Sequence, residues 1–405
     1  MLFWGTVLVL KRLTHSMNSS TIMDDALELD FSVSYRHRIF FTEGAFGSKN
    51  QLLKKLVAEA KVLPVLDAGL VAARPQLLQE LAQYAKSQSI HFTRLPLLLT
   101  GGEAAKKDSA VVKEVLSAIE ADKICRHSYV LAIGGGAFLD AVGFAASTAH
   151  RGVRLIRMPT TTLSQGDAGV GVKNGINSFG KKNFTGAFAV PAAVIIDSAF
   201  LRTLDKRGLR DGLVEAVKVA LLKEANFFQT LENEAAALAS GDLAAITRAV
   251  RRSAELHAKH IALNGDPFEQ GSARPLDMGH WAAHKLESIT HHRLSHGEAV
   301  AIGLALDVVT ARELGLMEAA LAQRVLHLLH QLGFETYCPE LLQAEGNDLW
   351  TGLEEFREHL GGGLCLVLPT GLGQSKNIHE LERKIVFRAA NELKSIHLGT
   401  CAVRS

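Results

Sequence analysis

The chain has 405 residues, 47% hydrophobic and 21% charged, with a formal net charge of +2. That balance describes a globular enzyme of about two domains and excludes a disordered or fibrous chain. Near-neutral charge also excludes a large polyanion-seeking field, so nucleic acid is not an expected partner, although local lysines and arginines can still hold a phosphate.

The apolar start from Met1 to Leu10, followed by Lys11 and Arg12, is about half the length needed to span a bilayer. Its charges lie behind the apolar run, the wrong order for a signal peptide. Met17 and Met23 offer alternative starts, and residues 1–31 are read as a tail without function. Neither membrane insertion nor a membrane partner is expected. Cys125, Cys338, Cys365 and Cys401 are far apart and show no CxxC spacing. They fit neither a disulfide framework nor a thiolate zinc site, and a reducing cytoplasm suits them.

Over residues 32–205, short apolar runs such as Val62–Asp67 alternate with helical stretches such as 75–87. Strands followed by crossover helices predict an α/β domain with a Rossmann-like parallel sheet. The clearest strand, 129–133, runs straight into Gly134-Gly135-Gly136 and is followed by Ala137-Phe138-Leu139-Asp140. Glycines between a strand and a helix let backbone N–H groups approach a pyrophosphate at the positive end of the helix dipole; a plain tight turn is the alternative. The next strand, 153–157, leads to Pro159-Thr160-Thr161-Thr162, whose hydroxyls can line the same crevice. Further on, Lys173, Lys182 and Asn183 sit on Gly-rich loops. They read as a phosphate cradle or as solvated lysines.

Beyond residue 205 the β signal fades, and helical patterns over 213–231 and 243–263 predict a mostly helical domain spanning 206–405. Residues 339–346 read as a loop and Gly361-Gly362-Gly363 as a turn, and no internal repeat occurs. The helix-like run Gly279 to Glu287 carries His280 and His284, four apart and so on one face, and His296 follows after a short turn. With Glu215 upstream, imidazoles and a carboxylate suit Zn²⁺ or a similar divalent ion.

Taken together, Asp140, Arg151, Pro159-Thr160-Thr161, Asp167, Lys173, Lys182-Asn183, Glu215 and Lys218 resemble the sugar phosphate cyclase superfamily, whose best known member is 3-dehydroquinate synthase. The resemblance runs from about Ser32 to the end. It implies an N-terminal NAD domain, a helical metal-binding domain and a homodimer. NAD would be held by Gly135, Gly136, Asp140, Thr160 and Thr161, with Asp67, Glu103, Lys106, Lys182, Thr203 and Leu204 contributing. Glu215, His280 and His296 would bind Zn²⁺ or Co²⁺. Lys173, Asn183 and His284 would hold the substrate phosphate, with Arg151 reaching across a dimer interface. Asp167, Lys218 and Lys259 would position substrate hydroxyls, with Glu269 beside them. The implied reaction is a redox-neutral cyclisation of a sugar phosphate that releases inorganic phosphate and recycles NAD.

Two departures separate this chain from the dehydroquinate branch. Counted back from His280, Ala273 stands at that branch's arginine position, with Arg274 adjacent, and Asp277 stands at its asparagine position. A carboxylate facing a substrate carboxylate about 4 Å away costs roughly 1 kcal/mol in water and about 4 kcal/mol at intermediate dielectric. The expected substrate therefore lacks a carboxylate. Near the end, Arg357-Glu358-His359 replaces a lysine pair, and His359 is read as a phosphate neighbour. These changes resemble branches that cyclise sedoheptulose 7-phosphate to valiolone-type cyclitols. Retention of His284 fits the 2-epi-valiolone branch, and the phrase from Gly271 to Asp277 is similar to cyclases of bacterial Ebo-type clusters. Dehydroquinate synthesis and a metal-dependent polyol dehydrogenase are the alternatives.

Overall fold

Strands that are apolar without interruption suit a sheet covered on both faces. The computed structural model describes residues 29–107, 109–179, 181–264, 267–270 and 275–404, apart from the side chains at 345, 359 and 400–404. Residues 29–35 belong to a unit separate from Arg36 onward and contain no regular element. The strands of the larger unit are β1 (Ile39–Thr42), β2 (Val62–Asp67), β3 (Leu97–Leu99), β4 (Tyr129–Gly134), β5 (Arg154–Pro159), β6 (Lys173–Ser178), β7 (Lys181–Phe188), β8 (Ala193–Asp197), β9 (Leu366–Gly371) and β10 (Gln374–Ile378). Six of them form one sheet in the order β1-β8-β5-β4-β2-β3. All its pairings are parallel.

Helices α1 (Leu52–Val57), α2 (Ala68–Ala73), α3 (Leu77–Ser87), α4 (Ala110–Ala121) and α5 (Gly136–Thr148) supply the crossovers. Side chains alternate between faces, as a period of two requires. Leu63, Val65, Val130 and Ala132 pack with α4 and α5 on one side, while Leu66, Leu131 and Ile133 pack with α1 and α3 on the other. From β2 the order runs outward to β3, and from β4 it runs the opposite way through β5 to β8. The carboxyl ends of β2 and β4, at Asp67 and Gly134, therefore flank the topological switch point where open α/β sheets bind ligands. Gly134 is required there, because a Cβ would lie 2.5 Å from Cδ1 of Phe138.

A different core begins at Leu201 and continues to Leu393. It is built by α6 (Lys206–Asp211), α7 (Leu213–Lys223), α8 (Ala225–Asn233), α9 (Ala235–Ser240), α10 (Leu243–Leu263), α11 (His280–Ile289), α12 (His296–Glu313), α13 (Ala319–Gln331), α14 (Asn347–His359) and α15 (Arg383–Arg404). Residues 213–222 of α7 are all buried, so this helix has no solvated face. Glu215 and Lys218 are buried within this stretch and pair with each other.

Three local expectations change. The single helix expected over 213–231 breaks at Glu224, whose φ of −156° and ψ of 104° are extended, into α7 and α8. Residues 339–346 are not a loop but a 3₁₀ helix opened by Pro339, where the missing proline N–H has no intrahelical partner to lose. The Gly-rich stretch carrying Lys173, Lys182 and Asn183 is the antiparallel β6–β7 hairpin. Its glycines serve close packing: a Cβ on Gly175 would lie 2.9 Å from the Thr185 carbonyl oxygen.

Candidate active site

At the switch point, Gly135 caps α5 with extended backbone, φ −74° and ψ 171°. The first N–H groups of a helix this long form an anion-binding end. A Cβ on Gly135 would meet only Thr161 Cγ2, at 3.6 Å, while one on Gly136 would press to 3.1 Å from Ala168 Cβ. Asp67 accepts the Gly69 N–H at 2.8 Å, and burial raises its carboxyl above the usual range. The loop after β3 closes tightly over it, since a Cβ on Gly101 would fall 1.9 Å from Asp67 Oδ2. Thr160 donates its N–H to the Gly134 carbonyl at 3.1 Å, and the Thr161 hydroxyl shares a proton with Ser164 at 2.9 Å. Buried Lys106 bridges Asp140 at 2.6 Å and the Asn183 side-chain carbonyl at 2.7 Å. These groups offer helix-end donors, hydroxyls and a glycine approach, which fit a dinucleotide.

The second end of the site lies where α7, α11 and α12 meet. Glu215, His280 and His296 place one ligand atom each within 4.8 Å of one another, and Glu215 Oε1 is 3.6 Å from His280 Nε2. A tetrahedral zinc with ligands at about 2.1 Å holds them roughly 3.4 Å apart. The spacing fits a single cation after a small contraction. Glu215 Oε1 is buried without a hydrogen-bond partner among the described residues, a costly state that a cation relieves. The histidine orientations agree. His280 Nδ1 faces the Met278 carbonyl at 3.2 Å, and His296 Nδ1 faces Glu287 Oε2 at 3.2 Å. Each contact commits the Nδ1 edge and leaves Nε2 for a metal. Burial, then Lys218, lowers His280 well below the ordinary imidazole range, so it is neutral and ready to ligate. For His296 burial works downward, but Glu287 wins and the net shift is upward.

Carboxylates outnumber buried cations here. Lys218 is 1% exposed and rests its ammonium against Glu215. Burial works to lower it, yet Glu215 and Asp167 hold it raised and charged. Burial raises Glu215. Asp167 is driven the other way: burial opposes, but His257 and Lys218 keep it ionised well below the usual carboxylate range. Asp277 behaves similarly, with Lys173 and His280 outweighing burial. Asp167 and Asp277 are thus ionised beside one buried ammonium, His280 and His284 are neutral, and Glu215 ionises once a cation approaches. A divalent cation at Glu215 offsets the cost of burying its carboxylate.

Between the two ends runs the β6–β7 hairpin. Lys182 reaches Glu287 at 2.7 Å and Glu103 at 3.8 Å, and Lys173 pairs with Glu269 at 2.5 Å. The loop before the hairpin is pinned by Arg157, a fully buried guanidinium on β5. It donates to the carbonyls of Gly171 at 3.0 Å and Lys173 at 2.8 Å and to Asn174 Oδ1 at 2.6 Å. Room for Asn174 exists because position 143 is glycine; a Cβ there would lie 1.9 Å from its oxygen.

Comparison with known proteins agrees with this architecture. Residues 96–211 match the family described as 3-dehydroquinate synthase N-terminal, and 212–349 match 3-dehydroquinate synthase C-terminal. A 2-epi-5-epi-valiolone synthase of Streptomyces glaucescens is 36% identical over 357 residues, covering 86% of this chain and 88% of the relative. The chain belongs to the sugar phosphate cyclase family. A 3-dehydroquinate synthase of Shewanella sp. (strain MR-4) is 32% identical to this cyclase over 330 residues, covering 81% and 89%. The structure of ValA, a 2-epi-5-epi-valiolone synthase from Streptomyces hygroscopicus subsp. jinggangensis 5008 with NAD⁺ and Zn²⁺ bound, superposes with a TM-score of 0.83 at 30% identity, covering 91% and 99%.

The cyclase brings most of the expected residues together, and some not. Lys218, Asp167, Asp277 and His284 act on Glu215 or His280 of the metal trio, while Lys173 pairs with Glu269 and acts on Asp277. Thr203 spends its hydroxyl on the Phe200 carbonyl at 2.7 Å, and Leu204 packs against the helical core. Lys259 is exposed on α10, where its charge acts on Glu224. Arg151 is exposed at the amino edge of the sheet. β5 begins three residues later and runs its six residues toward Pro159, roughly 20 Å of strand, so Arg151 is remote from its own chain's site. Ala273, Arg274 and the His359 side chain lie outside the described residues.

Sequence reasoning missed three partners. His257 on α10 touches Asp167 at 2.7 Å, and Glu287 and Arg157 support the site as described above. Glu287 was visible one turn after His284. His257 and Arg157 carry no spacing signal, because the fold alone brings them to their partners.

Proposed function

We propose that this cyclase is a carbon–oxygen lyase that converts a seven-carbon ketose phosphate, sedoheptulose 7-phosphate, to a cyclitol such as 2-epi-valiolone with release of phosphate. The observation that carries the reading is Asp277, an ionised carboxylate beside Lys173, Lys218, His280 and His284. A carboxylate-bearing heptulosonate would meet like charge there, whereas a hydroxyl of a neutral ketose can donate to it. The 36% identity to a 2-epi-5-epi-valiolone synthase supports the same substrate class.

Glu215, His280 and His296 would hold Zn²⁺ or Co²⁺, and Gly135, Gly136, Asp140, Thr160 and Thr161 would hold NAD. When bound, the metal supplies Lewis acidity and NAD removes and returns a hydride. The chain supplies the rest. Lys173 and Asn183 would grip the phosphate, and His284 completes the grip in its neutral form. Burial and then His296 push that imidazole down to about 4, so it donates one N–H without adding a charge. Lys218 stays an ammonium and can orient a substrate hydroxyl together with Asp167, whose carboxylate is fixed by His257. With these groups holding phosphate and hydroxyls at once, the chain is pre-positioned for an intramolecular bond. Lys259 and Glu269 are carried as further positioning groups, and Arg151 would reach a site only in a homodimer. The free thiols of Cys125, Cys338 and Cys365 accord with a cytoplasmic enzyme.

The test is incubation with NAD⁺ and Co²⁺ and either sedoheptulose 7-phosphate or its carboxylated counterpart, with phosphate assay and identification of the carbocycle. Phosphate from the neutral ketose alone is expected. Phosphate from the carboxylated substrate alone would establish dehydroquinate synthesis instead. Net NADH accumulation would point to a dehydrogenase, a reading that leaves Lys173 and Asn183 without a role.

A further inference from the structure

Asp307 on α12 is 2% exposed, and no cation pairs with it among the described residues. Its Oδ2 accepts the Gly279 N–H at 2.7 Å and its Oδ1 accepts the Trp281 indole N–H at 2.9 Å. These donors flank His280. The backbone contact beneath them is close: a Cβ on Gly303 would lie 2.1 Å from the Gly279 carbonyl oxygen, and Gly279 itself has a φ of +78°. Gly303 is one turn before Asp307, so the start of α11 sits directly on α12 and the carboxylate reaches back over it.

The Gly279 N–H belongs to the peptide unit whose carbonyl is that of Met278. That carbonyl is the partner of His280 Nδ1 at 3.2 Å. One peptide plane therefore takes a carboxylate on its N–H edge and an imidazole N–H on its C=O edge. A carboxylate that polarises a donor strengthens the acceptor at the other end of the chain of bonds. Direct carboxylate–histidine pairs orient metal-bound imidazoles in the same way, and Glu287 makes such a pair with His296.

We propose that Asp307 is a positioning residue of the metal site, fixing the tautomer and ring orientation of His280 through the Met278–Gly279 peptide. The inference rests on the reading of Glu215, His280 and His296 as metal ligands. Removing the carboxylate also leaves the Gly279 and Trp281 N–H groups without their acceptor, which lowers stability, so stability and metal geometry are read separately. Geometry at His280 is what Asp307 secures.

The test compares the wild-type chain with Asp307→Asn and Asp307→Leu, one keeping polarity and the other volume. Co²⁺ affinity is measured by competition with a chelator, the d–d absorption of the bound ion is recorded, and Tm is measured without metal. Either variant that folds is expected to bind Co²⁺ about 10 to 100-fold more weakly, with shifted d–d bands and a metal-free Tm that does not fall in proportion. A folded variant with affinity within twofold of wild type and an unchanged spectrum would overturn the proposal while leaving the metal trio intact. Wild-type protein that takes up no Co²⁺ would overturn the trio, and the proposal with it.

Discussion

Replacing Asp277 by asparagine tests the substrate assignment at the atom that decides it. The carboxylate is kept ionised by Lys173, His280 and Lys218, and a substrate carboxylate bound nearby would experience its full charge. At about 4 Å the repulsion is roughly 1 kcal/mol in water and about 4 kcal/mol at the effective dielectric of a partly buried site. At about 1.4 kcal/mol per decade, that corresponds to a discrimination of roughly fivefold to nearly a thousandfold. The Asp277→Asn change removes the charge but keeps size and hydrogen-bonding capacity. The kcat/KM ratio of sedoheptulose 7-phosphate to carboxylated heptulosonate should therefore fall by a factor in that range. Steady-state phosphate release with both substrates under identical NAD⁺ and Co²⁺ measures it. A ratio unchanged within threefold would show that Asp277 does not face the substrate at its carboxylate position, and the main argument against dehydroquinate synthesis would be lost.

Glu215→Gln should weaken Co²⁺ binding by at least about 100-fold, near 3 kcal/mol, and abolish phosphate release; isothermal titration with retained metal affinity would refute the ligand assignment. Gly303→Ala forces a Cβ to 2.1 Å from the Gly279 carbonyl oxygen, so thermal unfolding should show a loss of about 1–3 kcal/mol or more, together with reduced metal uptake; an unchanged Tm would show that the two helices can part. For the metal-free chain, the folded pKa of His284 is pushed down to about 4 from an ordinary 6.5. The unfolded chain therefore binds the proton more readily, so stability is complete above pH 6.5 and falls as pH drops toward 4, by about 3 kcal/mol at most. His284→Gln should flatten that segment of the stability–pH curve, and an unaltered curve would refute the buried neutral state.

The sheet and the triple-glycine turn were legible because their signals are local. Val62–Asp67 and 129–134 are apolar runs of strand length, and a strand ending in glycine before a helix leaves few alternatives. Glu215, His280 and His296 were legible by residue type, with the resemblance supplying the grouping. The hairpin was not, because β6 and β7 are rich in glycine, lysine and asparagine, and their pairing is decided by contact with Arg157 and the sheet behind them. His257 meets Asp167 only through the packing of α10 on the loop, a contact separated by 90 positions that no periodicity encodes. Arg151 shows the reverse case: a residue identified by pattern whose location in the fold removes it from the site of its own chain.

Lys106 joins Asp140 to Asn183, and Lys182 joins Glu287 to Glu103. The hairpin is thus a crossbar fastened to the dinucleotide bay at one end and, through Glu287 and His296, to the cation bay at the other. A ligand that stiffens either bay stiffens the bar, so the entropy of immobilising it is lost only once. By linkage, NAD should then tighten the grip on the ion by the same factor that the ion tightens the grip on NAD.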